Sequence, residues 1–237
     1  MKTVGSSHVG MVRKENQDSF WYSPAEERSC FAVVCDGMGG ANGGSCASNI
    51  AKETARLNWL ERKNIKPKAL FKKIVQESNQ NVYAASEEDP DLAGMGTTMV
   101  FVWVENEHLY FANIGDSRGY HISNGKITQM TKDHSAVQQL VDSGHITPRQ
   151  AKNHPNKNII TRAIGIEEEV SFDFFQADAS QGDIIVLCSD GLSNLVDENE
   201  IQFEAFGGDF NDLPQRLIEL ANSRGGNDNI TVVAIQI

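Results

Sequence analysis

Four short acidic motifs in this sequence could hold a metal centre, because each stands where an apolar stretch of the chain ends. They are Asn16-Gln17-Asp18, Asp36-Gly37-Met38-Gly39-Gly40, Ser189-Asp190-Gly191 and Asn227-Asp228-Asn229. Residues 31–35 and 184–188 are predicted to be buried strands, and each strand delivers an aspartate followed by a glycine. Carboxylates that leave strands at one sheet edge repel one another, so they need protons or divalent cations as neighbours.

Two further residues fit such a centre, although each also has a structural interpretation. Asp116 is typical of a hairpin or cap residue that accepts hydrogen bonds from its own turn. Arg13 can donate two hydrogen bonds to a phosphate. The alternative interpretation is that Arg13 forms a surface ion pair with Glu15. Either Asp-Gly pair alone is typical of a plain turn, but the joint pattern at Asp36 and Asp190 favours a ligand site.

The cysteines argue against a thiolate nucleophile. Cys30, Cys35, Cys46 and Cys188 lack the paired spacing of zinc or redox motifs. No arginine follows any of them closely in sequence, so the phosphate cradle of a cysteine-nucleophile phosphatase is missing. The candidate ligands are instead hard carboxylate oxygens, which Mg²⁺ and Mn²⁺ prefer.

The composition is that of an ordinary globular protein. Its 237 residues are 40% hydrophobic and 22% charged, and no Pro-, Gly- or Ser-rich linker divides them, so we expect one domain, residues 1–237. The net charge of -11 argues against nucleic acid or an anionic membrane as a partner. We expect a cytoplasmic protein, because the sequence has no signal-peptide pattern and no apolar stretch near the roughly 20 residues needed to cross a bilayer.

Hydrophobic periodicity predicts an α+β fold, because strands cluster together and helices come in groups. Helices are predicted over residues 44–59, 67–85, 198–206 and 213–223. Besides a short N-terminal strand, an antiparallel meander is predicted over residues 97–104, 108–113, 118–123 and 126–130. Further strands are predicted over residues 170–176, 183–188 and 230–237.

Residues 131–165 lack regular periodicity and are predicted to form a basic flap on an acidic protein. Their lysines and arginines number five and their aspartates two, so the local charge is 5 − 2 = +3. A positive flap could attract phosphorylated segments that the acidic body repels. The flap also holds His134 and His154, which are more typical of packed or solvated histidines than of a general acid.

Seven motifs along the chain occur in an informative order. They are GMVRKENQD (residues 10–18), DGMGG (36–40), GMGTT (94–98), GDSR (115–118), HPNKNIITRAIG (154–165), CSDGL (188–192) and DNIT (228–231). In this order they resemble the metal-dependent protein phosphatase family, the type 2C serine/threonine phosphatases, in its compact bacterial form. The likeness spans nearly the whole chain.

The resemblance implies a four-layer sandwich, in which two antiparallel β-sheets pack face to face and helices cover both outer faces. It implies that Asp36 bridges two Mn²⁺ or Mg²⁺ ions. Asp190 and Asp228 then hold the first ion, and the carbonyl of Gly37 reaches the second.

The resemblance also implies roles for three more residues. Asp18 acts mainly through water molecules, and Asp116 contributes with Asp190 to a third, weaker metal site. Arg13 binds the phosphate and, with Asp36, serves catalysis. The implied reaction is hydrolysis of phosphoserine and phosphothreonine in proteins by a metal-activated water.

The implied partners are phosphorylated proteins and a cognate serine/threonine kinase whose action the enzyme reverses in bacterial signalling, and we expect a monomer. Two positions depart from animal members of the family, which have glutamate where Gln17 stands and histidine where Met38 stands. Gln17 brings no charge, so the second metal is held more loosely. Met38 cannot donate a proton, so the leaving alkoxide must take one from water or another residue.

Two other functions fit parts of the pattern. A pseudophosphatase would use the same fold to bind phosphoproteins, but a decayed site is expected to have lost ligands, and all five aspartates are present here. A calcium-stabilised structural protein fits less well. Calcium loops draw their ligands from about 12 consecutive residues, whereas these aspartates span most of the chain.

Overall fold

The computed structural model describes residues 1–24 and 29–237, and of residues 41 and 42 it describes the backbone alone. The strands of these ranges form two antiparallel sheets. The first sheet has the order β1 (Lys2–His8), β11 (Ile230–Gln236), β10 (Ile184–Cys188), β7 (Arg118–Ser123), β8 (Lys126–Gln129). The second has the order β2 (Asp18–Tyr22), β3 (Ser29–Met38), β5 (Met99–Glu105), β6 (His108–Ile114), β9 (Asp173–Asp178), with the short β4 (Gly96–Thr97) beside the end of β3.

Helices cover the outer face of each sheet. Over the second sheet lie α1 (Gly40–Glu61) and α2 (Pro67–Glu88). Over the first lie α5 (Asp190–Ser193), α6 (Glu198–Phe206) and α7 (Leu213–Ser223), while α3 (Ala136–Asp142) and α4 (Pro148–Lys152) belong to the flap segment. The predicted four-layer α+β sandwich is confirmed. No helix in the described ranges is long and apolar enough to cross a membrane.

The sandwich explains why β3 is a continuous apolar run rather than an alternating one. Successive side chains of a strand point to opposite faces. Phe31 and Val33 pack with the helices of the outer layer, whereas Ala32 and Val34 pack between the sheets against residues such as Leu187. A strand that is covered on both faces must be apolar at every position, and it ends where polar residues can reach solvent.

The predicted meander is wrong in one respect, because its four strands do not share a sheet. β5 pairs with β6 and β7 pairs with β8, as predicted, but β7 pairs on its other side with β10 of the first sheet. The chain crosses between the sheets at the turn after β6. Gly115 makes this turn with φ of 101°, and a Cβ there would lie 2.6 Å from Thr98 Cγ2.

Two other expectations need correction. The flap segment contains two short helices, α3 and α4, which are too brief for periodicity to reveal. Helix α4 begins with a capping box between Thr147 and Gln150. Strand β9 begins at Asp173, three residues later than predicted, because it pairs with β6 from Asn113 onward.

Candidate metal centre

The predicted aspartates converge at one edge of the sandwich. A cleft of about 580 Å³ is lined there by Asp36, Asp116, Asp190 and Asp228. Asp18 lies beside them, 8% exposed and directly opposite Asp36 in the pairing of β2 with β3. The five carboxylates singled out in the sequence thus come from five distant segments, which the tertiary structure brings together.

Asp18 ties the two sheets together at this edge. It belongs to the second sheet, yet its Oδ2 accepts hydrogen bonds of 2.7 Å from the hydroxyls of Ser189 and Thr231, which follow β10 and lie in β11 of the first sheet. Its other oxygen, Oδ1, is buried and has no hydrogen-bond partner. A buried carboxylate oxygen without a donor is an unsatisfied acceptor, which a cation or an ordered water would satisfy.

The carboxylates raise one another's proton affinity. Burial raises the pKa of Asp36 well above its ordinary value, and the charges of Asp18 and Asp190 raise it further. Burial likewise raises the pKa of Asp18 to about 7 and that of Asp116 to about 8. The pKa of Asp190 rises to about 6 through burial and the charge of Asp228, although a hydrogen bond from the Asp36 carboxyl opposes the rise. Without cations, this cluster keeps protons at pH values where isolated aspartates have lost them.

The donor set fits hard divalent cations. Within the described ranges, no three His, Cys, Asp or Glu side chains are already spaced to hold one ion between them. Carboxylates together with water molecules are the usual ligands of Mg²⁺ in proteins. Carboxylate oxygens suit Mg²⁺ and Mn²⁺ rather than the softer metals that thiolates select.

The turn that carries Asp116 is held from several sides. Asn113 donates from Nδ2 to the carbonyls of Gly115 and Lys132, at 3.0 and 2.9 Å. The Gly115 N–H donates to Nδ1 of the buried His134 at 3.0 Å. Since His134 faces this backbone N–H and not the cleft, its visible role is to position the turn.

Asn229 organises the N-terminal side of the cleft, a role that sequence analysis did not assign. Its Nδ2 donates to the carbonyls of Val9 and Glu15, both at 2.9 Å, and its Oδ1 accepts from the Gln17 N–H at 2.8 Å. One side chain next to Asp228 thus fixes the loop that leads into Asp18. An asparagine directly after Asp228 was the only available signal.

We expect Asn229→Ala to lower the affinity for Mn²⁺ by about 10- to 100-fold, the effect usually seen when groups that orient metal ligands are lost. The measurement is calorimetric Mn²⁺ titration of the metal-free protein. Asn227→Ala is the matched control, because Asn227 is exposed two residues away. Equal affinities for the two variants would contradict the positioning role.

Glycines permit close backbone approaches around the aspartates. A Cβ on Gly37 would lie 2.0 Å from the carbonyl oxygen of Gly44, and a Cβ on Gly191 would lie 2.0 Å from that of Asn229. Real side chains do not fit at such distances. Gln17 lies in the same packed region, where its Nε2 donates to the Gly40 carbonyl at 2.7 Å.

Arg13 lies at the rim of the cleft and pairs with Asp228 rather than with Glu15. Its NH2 donates to Asp228 Oδ2 at 2.9 Å, and its side chain is 55% exposed. The guanidinium therefore keeps donors directed toward solvent beside the aspartates. Met38 also lines the cleft, whereas His154 is not among its lining residues and instead accepts from the Asn156 N–H.

Comparisons with known proteins identify the family of the chain. A family model described as "Protein phosphatase 2C" matches residues 4–231. The serine/threonine phosphatase stp of Listeria monocytogenes is 36% identical over 232 residues, which cover 96% of this chain and 92% of that protein. The crystal structure of the Mycobacterium tuberculosis serine/threonine phosphatase PstP/Ppp is similar with a TM-score of 0.92 at 36% identity, and the match covers 100% of this chain and 98% of that one. The PstP catalytic domain in complex with two manganese ions is similar with a TM-score of 0.88 at 36% identity, over 98% and 96% of the two chains.

Proposed function

The chain belongs to the protein phosphatase 2C family and is a metal-dependent serine/threonine protein phosphatase, and we propose that its five clustered aspartates hold the metal ions. Four of them line one cleft with Asp18 beside it, and burial together with their mutual repulsion raises the pKa of Asp36; this convergence is the observation that supports the assignment. Cations relieve such repulsion at any pH, whereas protons relieve it only below the raised pKa values of the aspartates.

In this proposal Asp36 bridges two ions of Mn²⁺ or Mg²⁺. Its place opposite Asp18, in one cleft with Asp190 and Asp228, supports a central role. Asp190 and Asp228 hold the first ion, and the carbonyl of Gly37 reaches the second. When bound, the ions supply Lewis-acid polarisation of the phosphate and a more acidic water as nucleophile.

The remaining residues of the centre have supporting roles in this proposal. Asp18 is anchored by Ser189 and Thr231, so it acts from a fixed position through intervening water. Asp116 contributes with Asp190 to a third, weaker metal site. Met38 has no proton to give, so water or another residue would protonate the leaving alkoxide.

The experiment that tests this function measures hydrolysis of a phosphothreonine peptide by the purified protein. We expect activity to vanish after chelation and to return when millimolar Mn²⁺ is added. Hydrolysis that persists after exhaustive chelation would refute a metal-dependent reaction. Inactivity in Mn²⁺ would favour a second candidate function, that of a phosphoprotein-binding module.

Arg13 is the proposed phosphate ligand. A hydrogen bond to a charged group contributes about 1.5–3 kcal/mol, so Arg13→Ala should raise KM for the phosphothreonine peptide about 10- to 100-fold in saturating Mn²⁺. Arg13→Lys should recover only part of this loss, because an ammonium lacks the planar fork. Lys14→Ala is the control, since Lys14 lines the same cleft. Equal KM values for the Arg13 and Lys14 variants would contradict the assignment.

We further propose that residues 1–237 act as one catalytic domain, with residues 131–165 as its flap. The pairing of β1 with β11 supports this view, because it joins the two ends of the chain beside the aspartates. The substrates are phosphorylated proteins, and the enzyme reverses the action of a cognate serine/threonine kinase in the cytoplasm. It works as a monomer in this proposal.

A further inference from the structure

A second cavity adjoins the metal centre on the side of the flap. Its volume is about 720 Å³, which is within the roughly 300–1,000 Å³ typical of ligand pockets. Asp116 and Asp190 line both this cavity and the cleft of the metal centre, so the two spaces meet at these carboxylates. A phosphorylated side chain held at the metals would leave its neighbouring residues at the entrance of the second cavity.

The flap contributes three cations to this cavity. Arg149, Lys152 and Lys157 line it, and none of them forms an ion pair with any residue that the structure describes. Arg149 and Lys152 are exposed, and Lys157 is partly buried. Lys157 lines the same cavity as Asp190, so this cation lies on the side of the cavity that meets the metal centre.

The opposite wall of the cavity is acidic. It is formed by residues around α5 and the start of α6, where Asp197 and Glu198 are exposed. The one arginine of this wall, Arg224, is already paired with Glu200. The cavity therefore has a cationic flap wall and an acidic α6 wall, and an anion entering it is stabilised only on the flap side.

We propose that this second cavity is a substrate subsite in which the flap cations Arg149, Lys152 and Lys157 bind an anionic group flanking the phosphorylated residue. The inference rests on the proposed function and adds a substrate class to it. The flanking group is an acidic side chain or a second phosphate, since both present oxygens that lysine and arginine bind. The subsite makes the enzyme prefer acidic or doubly phosphorylated segments over neutral or basic ones.

The flap cations without ion-pair partners are the reason for expecting the second cavity to select anionic substrate segments. The protein carries a net charge of -11, so an acidic substrate segment is repelled over most of the surface. Unpaired cations that face a concave wall offset this repulsion locally, and the opposing acidic wall penalises an anion bound in the wrong orientation. The preference should weaken as salt is added, because the flap cations are partly solvated.

The test compares four phosphothreonine peptides that differ only in the residues flanking the phosphothreonine: alanine, glutamate, lysine or a second phosphothreonine. We expect kcat/KM for the glutamate and doubly phosphorylated peptides to exceed that for the alanine peptide by about tenfold, the effect of one well-placed charge pair of roughly 1.4 kcal/mol. The two anionic peptides separate acidic side chains from phosphate as the bound group. Wild-type ratios near one for both would overturn the proposal.

The decisive variant is Lys152→Glu with Lys157→Glu. It should remove the preference for anionic peptides and create a preference for the lysine peptide, which a general loss of activity cannot produce. Lys63→Glu with Lys72→Glu is the matched control, because it makes the same charge change at exposed positions outside both cavities. If the control shifts the ratios equally, net charge rather than the subsite determines selectivity.

Hydrolysis of p-nitrophenyl phosphate separates this inference from the proposed function. This small substrate has no flanking residues, so it reports on the metal centre alone. Wild-type hydrolysis of it in Mn²⁺ without peptide selectivity would overturn the subsite and leave the phosphatase assignment intact. Absence of its hydrolysis would instead count against the metal centre.

Discussion

Asp36→Asn should lower kcat for a phosphothreonine peptide by about 10³-fold or more, the size of effect seen when a central electrostatic group of an active site is lost. The large expected effect follows from the position of Asp36 among the other aspartates. Asp36 lies opposite Asp18 and lines one cleft with Asp190 and Asp228, so it is the carboxylate that two ions can share. The amide keeps the shape of the side chain but removes the charge that binds a cation. The measurement is kcat at saturating peptide in millimolar Mn²⁺.

The matched control is Asp91→Asn, which makes the same chemical change at an exposed aspartate outside the cleft. It should keep the activity of the wild-type protein within about twofold, as is usual for surface substitutions. Circular dichroism should show both variants folded. An Asp36→Asn variant with more than a tenth of the wild-type kcat would mean that Asp36 is not a shared metal ligand.

The metal-free protein should lose stability as pH rises from about 5 to 8. The pKa values of Asp190, Asp18 and Asp116 are raised to about 6, about 7 and about 8 in the folded state, chiefly by burial. A group with a raised folded pKa contributes stability that is fully present below its unfolded pKa and is lost as pH passes the folded pKa. The shift of the buried Asp18 alone corresponds to a fall in Tm on the order of 10 °C for a chain of this length.

Thermal unfolding in EDTA at several pH values measures this effect. The window begins near pH 5 because groups with lowered pKa values, such as Glu200 at about 2, titrate below it. Mn²⁺ should raise Tm more at pH 8 than at pH 5, since the cations then replace protons that the cluster has lost. Metal-free Asp36→Asn should show a flatter pH profile, because one repelling charge is gone. A wild-type Tm that stays constant or rises from pH 5 to 8 in EDTA would show that these aspartates do not have raised pKa values in the folded protein.

Local patterns in the sequence were sufficient to predict much of the site. Apolar runs that end in Asp-Gly placed Asp36 and Asp190 at strand ends, and the structure brings both to one cleft. Helix periodicity located α1 and α2, although α1 begins four residues earlier and ends two residues later than predicted, and α2 ends three residues later. These features depend on neighbours in sequence, through side-chain alternation and turn preference, so the sequence itself records them.

The long-range partners were decided only by the tertiary structure. Arg13 pairs with an aspartate 215 residues away rather than with its neighbour Glu15, and Asp18 accepts a hydrogen bond from a threonine 213 residues away. The split of the meander between two sheets depends on β7 pairing with β10, which no local pattern specifies. The second cavity likewise exists only where the flap faces α6. Residue types and spacing thus determined that the chain carries carboxylates able to bind metal ions. Packing of the two sheets decided which side chains contact one another, because contacts between distant segments form only when the whole core is buried.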